Sequence, residues 1–217
     1  MMKSNGVVTM LAGFMALTPA AFSQKWEVGA GAGGGFYTSQ SITNATAGNA
    51  DAKIASGPAV GVWLGMNNPG SRWGGEVHYG LQTGDFRLSS GGAQASFGSA
   101  THTMNYDFHY HFRTSEDTVR PYVAFGAGVK LYQGTGTEVA AQPLSKIALL
   151  TKTSDMRPVA SFGFGVKAKL GTNWLLRAEI HDYVSPFPTK VFTPNSGSKV
   201  GGWFNDIVPM VGLSYIF

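Results

Sequence analysis

The chain has 217 residues, enough for one domain with a sizeable interior, and a formal charge of +4 with only 13% charged residues. Its 30 glycines are about twice ordinary usage, follow no collagen period and accompany enough aromatic residues to argue against disorder. Cysteine is absent, which excludes disulfides, thiolate metal sites, a cysteine nucleophile and a lipid-modified N-terminal cysteine, and no charge run or basic–aromatic cluster points to nucleic acid.

Residues 1–23 read as an export signal. Lys3 gives a positive start, Gly6 to Leu17 form an apolar run, and Ala21-Phe22-Ser23 fits a small-x-small cleavage site. The run is short and Pro19 ends it, which argues against a membrane anchor. The mature domain is then residues 24–217. Beyond Ser23 no apolar stretch is long enough for a membrane helix.

Eight alternating segments follow. The first, Trp26 to Phe36, sets Trp26, Val28 and Phe36 against Glu27 and a row of glycines. The second runs from about Ile54 to Met66, with Val60, Val62, Leu64 and Met66 in phase and Trp63 breaking the alternation. The third, Arg72 to Asp85, sets Trp73, Val77, Tyr79 and Leu81 against Glu76, His78 and Gln82. The fourth, Thr101 to Arg113, is the clearest: Met104, Tyr106, Phe108, Tyr110 and Phe112 alternate with Asn105, Asp107, His109 and His111. The fifth, Arg120 to Gln133, opposes Val123, Phe125, Val129 and Leu131 to Tyr122 and Lys130. The sixth, Arg157 to Leu170, opposes Phe162, Phe164, Val166 and Leu170 to Ser161, Lys167 and Lys169. The seventh, Trp174 to Tyr183, opposes Trp174, Leu176 and Ile180 to Arg177, Glu179 and His181. The eighth, Trp203 to Phe217, closes on Val211, Leu213, Tyr215 and Phe217. Period two over each segment predicts strands with one apolar and one polar face.

The connections alternate too. Asn67-Asn68-Pro69-Gly70, Thr114 to Val119 and Gly171-Thr172-Asn173 are short. About Gln40 to Lys53, Phe86 to Ala100, Gly134 to Met156 and Val184 to Gly202 are long and rich in Ser, Thr, Gly and Asn. Short and long connections in strict alternation are the layout of an outer-membrane barrel, with short periplasmic turns and long external loops.

Volume and charge decide which face is outside. An eight-stranded barrel is just wide enough for side chains to fill it, and the glycine-rich face suits that narrow interior. Glu27, Glu76, Asp107, Lys130, Lys167, Lys169, Arg177, Glu179 and Asp206 all share the glycine phase, and only Asp182 lies in the apolar one. A lipid-facing Arg or Lys at mid-depth costs about 2–4 kcal/mol, which accounts for the exclusion. The expected fold is therefore all-β: an eight-stranded antiparallel up-and-down transmembrane β-barrel.

Three stretches then carry a family resemblance: RPYVAFGAGV (120–129), LLRAEIHDY (175–183) and the terminal VGLSYIF. With the whole mature segment they resemble the small eight-stranded outer-membrane proteins of the OmpA transmembrane-domain and OmpX kind. The resemblance implies residence in the outer membrane, contact with its lipid and lipopolysaccharide, and a monomer. It implies that Tyr215 and Phe217 form the signal read by the outer-membrane assembly machinery. It also implies that a lumen ion network blocks the channel.

By this layout Glu76, Asp107, Lys130, Lys167, Lys169, Arg177 and Glu179 converge on one lumen. They read either as a neutralised polar plug or as a gated narrow pore, and the plug is favoured because eight strands leave little bore. His109 and His111 beside Asp107 have metal-compatible spacing, but no third or fourth ligand does, so no metal or cofactor is expected. No histidine has serine two residues later, so nothing points to a membrane-embedded lipid hydrolase. Gly29-x-Gly31-x-x-Gly34 precedes no helix and is strand lining, not a dinucleotide site. The segment Pro143 to Leu150 is unusually apolar for a loop; it could cap the barrel, extend the strands or present an adhesive surface. The expected role is structural or surface-interacting through the loops and not enzymatic, with a soluble apolar-ligand barrel as another alternative.

Overall fold

The computed structural model describes residues 25–138 and 141–217; the export signal lies outside the described residues. Among the described residues thirteen strands follow in chain order: β1 (Lys25–Tyr37), β2 (Gln40–Asn44), β3 (Gly48–Ile54), β4 (Gly57–Asn67), β5 (Trp73–Ser90), β6 (Ala93–His111), β7 (Val119–Gly134), β8 (Ala148–Leu150), β9 (Ser154–Lys169), β10 (Trp174–Pro186), β11 (Phe192–Pro194), β12 (Ser198–Val200) and β13 (Trp203–Ile216). Eight of them close a ring in the order β1, β4, β5, β6, β7, β9, β10, β13 and back to β1, every pair antiparallel. Closure leaves no unpaired edge in the ring, the condition for strands to cross lipid. The last residue is tied in as well. Phe217 N donates to Trp26 O and Trp26 N donates to Phe217 O, both at 2.9 Å.

Each wall strand shows the two faces that the alternation predicts. Val62, Met104, Phe125 and Phe164 are exposed outward, while Glu76, Asp107, Lys130 and Arg177 are buried inside. Trp26, Trp73, Phe112, Trp174, Tyr215 and Phe217 are exposed around the short-turn rim, the position of an aromatic girdle. Trp63, which breaks the alternation of β4, turns inward and is buried. It fits because β1 and β13 lay glycines beneath it. A Cβ on Gly29 would collide with Trp63 Nε1, and one on Gly212 would fall 2.5 Å from Trp63 Cη2.

The long connections are not the open loops that their polar composition suggests. β5 and β6 run on together far past Leu81, paired to a turn at Gly91-Gly92, both with positive φ. The hairpin β2–β3 packs beside β5, β12 adds to β2, and β8 pairs with β11. Ile54, expected to open the second strand, ends β3 instead. The physical reason is an exchange of faces. On β5 the inward positions Glu76, His78 and Gln82 continue in phase as Phe86 and Leu88, which are wholly buried. The outward positions Val77, Tyr79 and Leu81 continue as Thr83, Asp85 and Arg87, and the last two form a 3.9 Å ion pair on the surface. Apolar residues face out along the lipid belt and face in above it, where water surrounds the wall. The extension is an ordinary dry-cored β-structure stacked on a membrane barrel.

Candidate functional site

The lumen is the site that the wall strands build, and it is filled in three tiers. The tier nearest the short turns is ionic. Lys167 Nζ donates to Glu27 Oε2 at 2.8 Å and to Glu76 Oε1. Arg177 donates through Nη1 to Glu76 and through Nε to Glu179 at 2.8 Å. Tyr122 adds its hydroxyl to Glu179 at 2.6 Å. The Arg177 guanidinium lies over the Trp63 ring at 4.5 Å, and Trp63 Nε1 donates to Ser214 at 2.9 Å. Every ion is buried, so each depends on its partners to offset lost hydration.

Beside this tier stands an imidazole cluster. His78 Nε2 is 3.0 Å from Glu76 Oε2, and His109 Nδ1 is 3.4 Å from Glu76 Oε1. His181 Nε2 is 3.4 Å from Asp107 Oδ2 and its ring meets His78 edge-on at 5.5 Å. Gly163 gives His181 its place, since a Cβ there would collide with the ring.

The middle tier is a second ion pair among tyrosines. Lys130 bonds Asp206, whose Oδ2 also accepts from Gln82 at 2.9 Å. Tyr37 donates to Gln82 at 2.6 Å, and the Lys130 ammonium sits 4.7 Å above the Tyr37 ring. Tyr132 and Ser185 share a 2.6 Å bond on the far side.

The third tier is dry. Phe86, Phe187, Phe192 and Phe204 pack together with centroids 5.0 to 6.3 Å apart, sealed by Leu88, Ile42, Ile54 and Leu150. The apolar segment 143–150 contributes Ile147, Ala148 and Leu150 to this core and leaves Leu149 outside. Of its possible uses, it caps the lumen.

Glu76, Lys167, Arg177 and Glu179 therefore meet in one network. Lys130 belongs to the middle tier, and Asp107 stands with the histidines. Lys169 stays at the short-turn rim, where its Nζ donates to Glu116 O at 2.9 Å, because it is one step too near the strand end to reach the acids. Glu27 and Asp206 share the inner phase and complete the two ion clusters. Trp63 was harder to see, since an aromatic side chain on a polar face breaks the alternation; Tyr122 falls on the inner face by its phase, but its bond to Glu179 carries no signal along the strand.

The sequence profile of the family described as outer membrane protein beta-barrel domain matches residues 7–217. No curated protein matches the sequence. Among solved structures, Neisserial surface protein A is similar with a TM-score of 0.56 at 13% identity, over 88% of this chain and 97% of that one. OprG from Pseudomonas aeruginosa gives 0.57 at 14%, over 89% and 96%. A major outer membrane protein from Thermus thermophilus gives 0.52 at 17%, over 90% and 100%. The closed ring, its apolar belt and the matched profile together make this chain a member of the outer membrane protein β-barrel family, resident in the lipid of the outer membrane.

Proposed function

We propose that this protein is a closed barrel whose folded long-loop end is a structural and surface-interaction platform outside the cell, without transport or catalysis of its own. The observation that carries this reading is the lumen filled in series: an ionic tier, an ion pair among tyrosines, and a dry aromatic core. Ions crossing it would have to break buried charge pairs and then wet an apolar plug, and each step is costly. The chain's ordering effort goes instead into the outer tier, where β2, β3, β8, β11 and β12 give the loops fixed shape. Loops held this way present a preformed surface, which lowers the entropy cost of binding. Lipid and lipopolysaccharide surround the belt, and Tyr215 and Phe217 serve the assembly machinery as the terminal signal.

Single-channel recording in planar bilayers tests the reading. The expected record is silent, and it stays silent in Lys167→Glu and Glu179→Lys, because the dry core still blocks the path. Regular conductance steps in the unmodified barrel, with an ion preference that these charge reversals change, would replace the platform with a narrow-pore channel.

A further inference from the structure

We propose that Glu76, His78 and His109 form a lumen binding site for a divalent transition-metal cation of the zinc or copper kind. β5 supplies Glu76 and His78 two residues apart on its inner face. β6 supplies His109, whose backbone faces Gly74, so no side chain at that register separates the two strands' ligands. One ligand atom from each of the three residues lies within 4.8 Å of the others, and all three residues are buried. Two atoms bound about 2.1 Å from a tetrahedral ion stand about 3.4 Å apart. His78 Nε2 lies 3.0 Å from Glu76 Oε2 and His109 Nδ1 3.4 Å from Glu76 Oε1, so the two imidazoles address the two oxygens of one carboxylate at separations near that value.

A second, independent observation points to a missing partner. His109 is wholly buried, and neither of its ring nitrogens has a hydrogen-bond partner. Just beyond His78, Asp107 Oδ2 and His181 Nε2 make no hydrogen bond and have only each other, as an ion-pair contact at 3.4 Å. Buried polar atoms left unmatched cost free energy, and a native interior matches nearly all of them. Here they gather in one place and are the donor atoms that imidazole and carboxylate offer a borderline-soft cation.

Charge is compatible. Glu27, Glu76, Asp107 and Glu179 are four buried acids in this half of the lumen, against the buried cations Arg120, Lys167 and Arg177. With neutral imidazoles the balance is one negative charge in excess. Lys167 and Arg177 each hold a second acid, Glu27 and Glu179, so Glu76 can turn lone pairs toward an ion without stranding either cation. Asp107 and His181 would then orient the ligating imidazoles, as outer partners do around bound metals. The dry outer tier bars entry from the loop end, which leaves the short-turn end and the barrel before closure as the routes for the ion.

The test uses tag-free full-length barrel, refolded from urea into detergent with and without zinc and passed through a desalting column. The expected result is about one zinc per chain, with the unboiled, fast-migrating band surviving to higher temperature. Refolding with copper should give an electron paramagnetic resonance spectrum with coupling to two imidazole nitrogens. His78→Gln/His109→Gln should lose the bound ion, whereas His102→Gln, on the outer face, should keep it. Metal below stoichiometry in the unaltered barrel, a copper spectrum without nitrogen coupling, or full retention in the double variant would each overturn the site. If the double variant yields no heat-modifiable band, the copper spectrum of the unaltered barrel decides alone.

Discussion

Lys130 on β7 and Asp206 on β13 close an ion pair across the lumen, with side-chain exposures of 0% and 1%. The two strands are not neighbours in the ring, so the pair ties opposite parts of the wall together. Asp206→Asn leaves a buried ammonium facing an amide. Breaking such a pair costs about 3–5 kcal/mol. The urea midpoint for loss of the heat-modifiable band should fall accordingly. Lys130→Met/Asp206→Leu, which removes both charges, should recover most of the loss.

Phe192 tests whether the outer tier is a separate cooperative unit. It is wholly buried and packs on Phe86 at 5.0 Å and Phe187 at 5.3 Å. Phe192→Ala should cost about 3–5 kcal/mol. The loss should appear locally, as faster proteolysis within residues 184–202, while the membrane belt stays folded and heat-modifiable. Equal loss of both would mean that plug and belt unfold as one.

Gly29 and Trp63 should be coupled. Gly29→Ala drives a methyl into the indole and should destabilise by about 1–3 kcal/mol, the usual cost of overpacking. Trp63→Ala opens a cavity beneath Arg177. In Gly29→Ala/Trp63→Ala both indole clashes are gone and only Ser214 Oγ, 2.6 Å from the new methyl and released from its bond to the indole, has to turn aside, so the double variant should be more stable than the sum of the singles. A double-mutant cycle from urea titrations reads the difference.

Val62 reports on the lipid face. It is 51% exposed midway along β4 between Ala30 and Tyr79. Val62→Arg should cost about 2–4 kcal/mol in lipid vesicles. Arg87, exposed on the outward side of β5 above the belt, marks where that cost ends. Val62→Arg that folds into vesicles at unchanged stability would place the belt elsewhere.

The wall was legible because side-chain direction in a strand is a local property. Met104 to Phe112 and Asn105 to His111 declare their faces from period two alone. The count of wall strands and their two faces follow from that rule; the antiparallel layout follows from the alternation of short and long connections, and the inward charges and outward aromatic rim from volume and charge. The outer tier hid because the meaning of the rule reverses with solvent. Phe86 and Leu88 share a phase with Glu76, and only the height at which water replaces lipid tells that they form a core.

Which charges meet was decided by the tertiary structure. Lys167 and Glu27 lie on β9 and β1, far apart in sequence, and their 2.8 Å contact depends on strand register accumulated around the ring. The same stagger separates Lys130 from Arg177 and leaves Lys169 at the rim. It also carries His78 and Glu76 to His109, a third ligand that no spacing along one strand could show. By itself the sequence determined the inside and outside of a membrane barrel, because alternation needs only neighbours and side-chain volume and charge then tell the lumen face from the lipid face. The network, the plug and the imidazole cluster needed the closed ring, because their contacts are set by how eight strands slide past one another before the first meets the last.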